Sequence, residues 1–291
     1  MATTVKNIVA TGATSGIGFE IIKQLLGQTQ AYDITLGARD IQRTQAAFNK
    51  IQYDTAQNSL TILPLELSNL HTVKTFAQEV LQKLGEQKID FLLLNAAALD
   101  AADGPGPNGS SWSVQYLVNH LSQHYLIHLL REKLVSSQSR IVVVSSGGVR
   151  NVTDELLVTL ENDVKAGSGT HPWTLYAETK FIQLLSAHWW RRELTGQCTV
   201  VAVSPGLIPG TGLLPHGTII PTNMADAKSI PEGAASVLAA FTRDDFPEDP
   251  ERIFLTSWGE WWGKEVYGKS LDRELQEKWC PSKEAIERDE I

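Results

Sequence analysis

Cysteine is scarce in this chain, with two, Cys198 and Cys280, among 291 residues. They form no C-x-x-C pair and no ligand cluster, which excludes a disulfide scaffold or a cysteine-based metal site. Cys198 precedes an expected strand and reads as a buried thiol. Long apolar runs are also missing, so no segment is suited to spanning a bilayer. Positive charge does not prevail. The net charge of −8 argues against nucleic acid as a partner, because holding phosphates needs basic patches. There is no Pro/Gly/Ser linker, charge block or repeat, so residues 1–291 read as a single domain. The first apolar segment, Ile8-Val9-Ala10, runs straight into a glycine turn that a cleaved signal peptide would have to remove. No such peptide is expected, and a reduced, cytoplasmic protein follows. The N-x-S/T sequons at Asn108 and Asn151 then read as coincidence.

Hydrophobic residues are plentiful at 42%, enough for a sizeable core. Short apolar runs predict strands at 7–10, 34–38, 60–66, 91–95, 140–145, 200–204 and 252–256. Helical periodicity fills the gaps at 17–26, 41–50, 72–84, 114–134, 175–193 and 232–241. The strands are almost wholly apolar rather than alternating, as expected where both sheet faces are covered. Strand–helix alternation predicts an α/β fold: a doubly wound, mainly parallel seven-stranded sheet with helices on both faces. Ligands on such sheets bind at the carboxyl ends of the strands.

Three features fall at such ends. The first strand runs into Thr11-Gly12-Ala13-Thr14-Ser15-Gly16-Ile17-Gly18, and a helix follows at once. A turn this tight favours residues without a Cβ, and it lets backbone N–H groups and a helix N-terminus approach a pyrophosphate. The fifth strand closes on Ser145-Ser146. Tyr176 and Lys180, four apart in Leu175-Tyr176-Ala177-Glu178-Thr179-Lys180, share a helix face. A free phenol has a pKa of about 10. A neighbouring ammonium is expected to draw it down and make it a useful proton donor or acceptor. Glycine turn, serine pair and Tyr–Lys pair in this order point to hydride transfer with a nicotinamide.

Over nearly its full length the chain resembles the short-chain dehydrogenase/reductase family, which implies a Rossmann-type sheet. The family's glycine motif maps to Gly12, Gly16 and Gly18, its N-N-A-G to Leu94-Asn95-Ala96-Ala97, its helix asparagine to Asn119, and its P-G to Pro205-Gly206. Its catalytic Ser, Tyr and Lys map to Ser146, Tyr176 and Lys180. Asn95-Ala96-Ala97 and the run from Pro205 to Leu213 resemble the branch with protochlorophyllide reductases, retinol-dehydrogenase-like enzymes and fungal relatives. Two positions depart from the family: Glu66-Leu67 replaces an Asp-Leu or Asp-Val pair at the adenine, and Ala97 replaces a glycine beneath the ribose.

The resemblance implies that Tyr176 exchanges a proton with the substrate oxygen. It implies that Lys180 lowers the tyrosine pKa and holds ribose hydroxyls, that Ser146 stabilises charge on the oxygen, and that Asn119 fixes a water linking Lys180 to solvent. It places the cofactor against Gly12, Thr14, Ser15, Gly16, Ile17, Gly18, Arg39, Glu66, Leu67, Asn95, Ala96, Ala97, Tyr176, Lys180, Pro205, Gly206, Leu207 and Thr211. At the end of the second strand Ala38 stands where an acid would hold a ribose 2′-hydroxyl. Arg39 follows and can fork onto a 2′-phosphate, despite Asp40 beside it, so NADP(H) is the expected cofactor.

A small-molecule substrate is expected to meet Gly147, Trp173, Leu213 and Leu214, with residues 207–230 as a lid and 147–175 as an insertion bordering the pocket. Trp258, Trp261 and Trp262 open a C-terminal extension, 257–291, and either close the far wall or pack as core. His120, His124 and His128 recur on one helix face. With no carboxylate or cysteine completing a set, they read as packing residues and no metal is expected. The expected activity is reduction of a ketone or aldehyde on a fairly large apolar or aromatic molecule, by a monomer or homodimer. C=C or C=N reduction in the same site, or an NADP(H)-binding sensor or scaffold without turnover, are the alternatives.

Overall fold

The computed structural model describes residues 4–213, 224 and 226–290. Seven strands form one sheet: β1 (Lys6–Thr11), β2 (Tyr32–Ala38), β3 (Ser59–Pro64), β4 (Phe91–Leu94), β5 (Arg140–Val144), β6 (Thr199–Val203) and β7 (Phe254–Leu255). Their order is β3-β2-β1-β4-β5-β6-β7, and every neighbouring pair is parallel. The order reverses between β1 and β4, where Ile8 pairs with Phe91 and Thr11 with Leu94. At that point the crossovers diverge to opposite faces and leave a crevice beyond the strand ends.

The helices are α1 (Gly16–Leu26), α2 (Ile41–Phe48), α3 (Leu70–Leu84), α4 (Val114–Tyr116), α5 (Ser122–Ser137), α6 (Asp154–Asp163), α7 (Pro172–Glu193), α8 (Ile230–Thr242), α9 (Lys264–Tyr267), α10 (Arg273–Trp279) and α11 (Lys283–Glu290). The pleat sends alternate strand residues to opposite faces. Ile8, Ala10, Leu93, Val142 and Val201 meet Ile21, Ile22, Phe48 and Val237 of α1, α2 and α8. Val9, Leu92, Leu94, Ile141 and Val200 meet Val73, Phe76, Leu126, Leu130 and Phe181 of α3, α5 and α7. Each such fully buried aliphatic side chain stabilises by about 1.5–3 kcal/mol, and truncating Phe76 to alanine would cost about 3–5 kcal/mol.

Helix boundaries follow from local chemistry. Ser229 and Glu232 form a reciprocal capping box that starts α8, with Pro231 in its first turn. Asp40 caps α2 by accepting from the Arg43 N–H at 2.8 Å. The helix expected over 114–134 is interrupted: Leu117–Leu121 form a π-helical turn between α4 and α5. Such a turn inserts a residue and re-aims side chains, here around Asn119.

The C-terminal extension forms three short helices whose weak periodicity gave no expectation. They cover the outer side of α5 and α7. The His120 Nε2–H donates to the Trp279 carbonyl at 2.7 Å, and the His124 Nε2–H to the Pro281 carbonyl at 3.0 Å. The Trp190 indole donates to His124 Nδ1 at 2.9 Å, which fixes that ring's tautomer. Burial holds His120 and His128 down to about 4. The histidine row is thus a neutral hydrogen-bonding ladder for the C-terminal segment.

Candidate active site

The glycine turn is shaped by close approaches. Gly12 has φ +64°, and a Cβ there would stand 2.4 Å from the Ala96 Cα. A Cβ on Gly18 would lie 2.0 Å from the Gly12 carbonyl oxygen. Asn95 donates its amide to that carbonyl at 2.7 Å, tying the end of β4 to the turn after β1. Gly16 differs. Its φ is +54°, yet its missing Cβ would find only Thr211 within 4 Å, at 3.5 Å. Gly12 and Gly18 therefore serve packing, whereas Gly16 leaves open space between the turn and Thr211.

That space belongs to a groove of about 720 Å³ along the carboxyl edge of the sheet. The groove collects Gly12, Thr14, Ser15, Gly16, Ile17, Gly18, Arg39, Glu66, Leu67, Asn95, Ala96, Ala97 and Thr211, whereas Tyr176, Lys180, Pro205, Gly206 and Leu207, also expected at the cofactor, do not line it. Leu213, expected on the substrate side, also lines it. Arg39 is 80% exposed, and its contact with Glu66 is long at 3.9 Å. Asp40 is engaged as a helix cap and does not neutralise the arginine. Glu66 accepts from the Ser68 N–H and hydroxyl, both at 2.9 Å, which orients its carboxylate at the groove wall. Gly206 has φ +94°, and beyond it the Leu207 N–H donates to the Asp226 carbonyl at 3.2 Å while the Leu207 carbonyl accepts from the Lys228 N–H at 2.9 Å, which holds the strand end in place. Leu214 and the middle of the expected lid, residues 214–223 with Ala225, lie outside the described residues.

The reactive side chains meet at the ends of β5 and β6. Ser146 follows β5, and its hydroxyl accepts from the Gly148 N–H at 3.0 Å. Tyr176 projects from the first turns of α7, and the Ser146 side chain lies close enough to act on its phenol. Lys180, one turn on, is 1% exposed. Its ammonium donates to the Val144 carbonyl at 2.8 Å and to Gln183 Oε1 at 3.1 Å, and it lies 5.9 Å from the Tyr176 ring centre. Trp173 stands edge-on to Tyr176 at 6.4 Å and is 42% exposed. The Gly147 N–H donates to Ser204 Oγ at 3.0 Å, closing the gap between β5 and β6.

One expectation is corrected here. The tyrosine pKa is not drawn down. Burial pushes it up to about 12, against a smaller lowering by the Ser146 hydrogen bond. Lys180 yields instead: burial without an acidic partner pushes its amine down to about 7. Desolvation outweighs the mutual effect at this separation. Asn119 ties two elements together. Its side chain accepts from the Ala98 N–H at 2.7 Å and donates to the Ala98 carbonyl and Thr179 hydroxyl, both at 3.0 Å. It clamps the loop after β4 to α7. The residues that do hold Lys180, Gln183 and the Val144 backbone, went unremarked in the sequence. Only Gln183 left a signal there, its place one helical turn beyond the lysine.

A parallel sheet that reverses at β1/β4, a glycine turn facing an open groove, and a Ser–Tyr–Lys group at the ends of β5 and β6 define a nucleotide-dependent oxidoreductase of the doubly wound class. A family model for short chain dehydrogenase matches residues 6–155. A short-chain dehydrogenase/reductase of Pestalotiopsis microspora is 54% identical over 288 residues, covering 98% of this chain and 99% of that protein. Human retinol dehydrogenase 13 is 28% identical over 208 residues, 69% of this chain and 59% of its own length. Among solved structures, an NADPH-bound carbonyl reductase from chicken fatty liver superposes with a TM-score of 0.63 at 18% identity, covering 89% of this chain and 99% of that one. The chain belongs to the short-chain dehydrogenase/reductase family.

Proposed function

We propose that this protein is an NADP(H)-dependent reductase of a ketone or aldehyde carried on a fairly large apolar or aromatic small molecule. The observation that carries the reading is the meeting of Ser146, Tyr176 and Lys180 at the end of β5, on the same carboxyl edge of the sheet as the open groove. The groove fits a phosphorylated dinucleotide. Gly16 leaves room for a pyrophosphate, and Arg39 presents an exposed guanidinium where an acid would repel a 2′-phosphate. That the similar chicken reductase is NADPH-bound supports the same choice.

A reduced nicotinamide supplies the hydride when bound. This chain's residues handle the oxygen. Tyr176 and Ser146 converge on one point, so both hydroxyls can bond the carbonyl oxygen of a substrate seated there. As negative charge gathers on that oxygen, Tyr176 transfers its proton and Ser146 retains its hydrogen bond. A phenol held up to about 12 is fully protonated at neutral pH, the form a donor needs. Lys180 places its positive charge beside the ring that becomes phenolate. Gln183 and the Val144 carbonyl orient that ammonium, and Asn119 keeps α7 registered against the loop after β4.

NADPH consumption screened against ketones, aldehydes, quinones and polycyclic aromatics tests the reading, with Tyr176→Phe as control. The phenylalanine keeps the packing but has no proton to give, so turnover should fall by at least ~100-fold while NADPH affinity stays within a few-fold. Enones and imines assayed in parallel separate carbonyl from C=C or C=N reduction. NADPH binding without turnover of any substrate class would favour a sensor instead.

A further inference from the structure

A 3-10 turn, Gly147–Asn151, leaves β5 directly after Ser146. Its Arg150 is exposed, yet the side chain does not run out into solvent. The Arg150 Nε–H donates to the Gly147 carbonyl at 3.0 Å, and the guanidinium lies 5.1 Å from the Trp262 ring centre. One terminal nitrogen is 3.3 Å from where a Cβ on Gly147 would stand. The side chain therefore folds back toward Ser146. The covalent path through Gly147 bounds the separation of Nε and the Ser146 hydroxyl at roughly 12 Å.

The surroundings are aromatic. Trp258 is 53% exposed, and its ring centre is 5.6 Å from that of Trp262. Both follow β7, which ends at the same carboxyl edge as β5 and β6, and Leu255 pairs with Trp261 to return the chain over that edge. The neighbouring acid Glu260 is engaged by the Trp258 indole, which donates to it at 3.1 Å. Among the described residues Arg150 forms no ion pair within 4.0 Å. A guanidinium with Nε anchored and its centre 5.1 Å from an indole ring still presents two terminal NH2 groups. These match one carboxylate and lose little freedom on binding it.

We propose that Arg150, held on Trp262 beside the exposed Trp258, is a carboxylate subsite at the rim of the catalytic cleft. The reducible carbonyl compound then carries an acidic group on an aromatic frame. This rests on the reductase reading above and narrows its substrate class. A residue that merely capped the turn would need only its Nε; the free fork and the open tryptophan face are what a ligand would use.

The test compares 4-benzoylbenzoate with its methyl ester. Turnover with NADPH is measured in wild type, Arg150→Met and Arg150→Lys, and binding of both probes by calorimetry on protein saturated with NADP+. In wild type the acid should exceed the ester by roughly 10–100-fold in kcat/KM and in affinity, the range for a charge-assisted bidentate contact. Arg150→Met should bring the acid-to-ester ratio near one. Arg150→Lys, which keeps the charge without the fork, should restore part of it. If neither ketone turns over while the acid still binds more tightly through Arg150, the reductase reading fails and the subsite stands. A wild-type ratio near one, no binding of either probe, or a preference that survives in Arg150→Met overturns the subsite.

Discussion

Replacing Lys180 by methionine should abolish activity and yet leave the free protein about as stable at neutral pH as before. The ammonium is buried, forms no ion pair among the described residues, and keeps only two hydrogen bonds, to the Val144 carbonyl and Gln183. Burial pushes the amine down from 10.5 to about 7. The unfolded chain then binds more protons between pH 7 and 10.5, so this group makes stability rise with pH across that window, and its penalty is complete below about pH 7. At about 1.4 kcal/mol per unit, the penalty near neutrality is on the order of 4 kcal/mol. Methionine fills the linear stem without charge, but it strands two buried acceptors at roughly 1–3 kcal/mol each. Gain and loss should cancel to within ~2 kcal/mol.

The decisive signature is the pH dependence. Glu178, buried on the same helix, is pushed up to about 9 by burial and then by Asp163, so its contribution falls as pH rises from 4.5 to 9 and masks the lysine in wild type. Urea unfolding of both proteins without cofactor, from about pH 6 to about pH 10, isolates Lys180 as the difference between them, approaching ~1.4 kcal/mol per pH unit above neutrality. A flat difference, or a variant destabilised by more than about 3 kcal/mol at neutral pH, would refute the reasoning.

Arg39→Ala should weaken NADPH binding by about 1.5–3 kcal/mol and barely change NADH, because the guanidinium is exposed and its Glu66 contact is long. Equal losses for both cofactors by calorimetry would remove Arg39 from cofactor choice. Gly18→Ala drives a methyl group into the Gly12 carbonyl and the Asn95 amide, so it should cost about 1–3 kcal/mol in urea unfolding and loosen cofactor binding. A variant as stable as wild type would show that the turn yields. Acid should destabilise the fold between pH 6.5 and about 4, since buried His120 and His128 are held near 4 and His188 near 3, and the unfolded chain binds their protons first. One such histidine alone contributes on the order of 3 kcal/mol, enough to lower the melting temperature by roughly 6–12 °C, and an unchanged midpoint at pH 4.5 would count against the neutral ladder.

What could be read in the sequence was set by backbone geometry. Gly12 and Gly18 announce a turn because no Cβ fits where theirs would stand, and Gly16 because its φ of +54° favours glycine. Tyr176 and Lys180 are legible because helical spacing alone makes them neighbours. The alternation of elements is legible because both sheet faces must be covered. What could not be read depends on partners distant in sequence or on desolvation. The occupant of the histidine face, the Trp279–Pro281 segment, lies more than 150 residues away and carries no periodic signature. Asn119 meets Ala98 because a π-helical turn redirects it, and no residue preference marks that turn.

The protonation of the Tyr–Lys pair shows the same limit in energetic form. Spacing predicts that the two groups meet, but not which one yields. Attraction between an ammonium and a developing phenolate favours both charges, whereas burial opposes both. With the ammonium 5.9 Å from the ring and already hydrogen-bonded to Val144 and Gln183, burial prevails in the free protein. The tyrosine stays neutral and the lysine pKa falls toward 7. A neutral phenol beside a cation of marginal stability is suited to giving a proton, because the phenolate that forms restores the charge partner the lysine lacks. In the proposed reaction the two penalties that burial imposes separately would be relieved together by proton transfer.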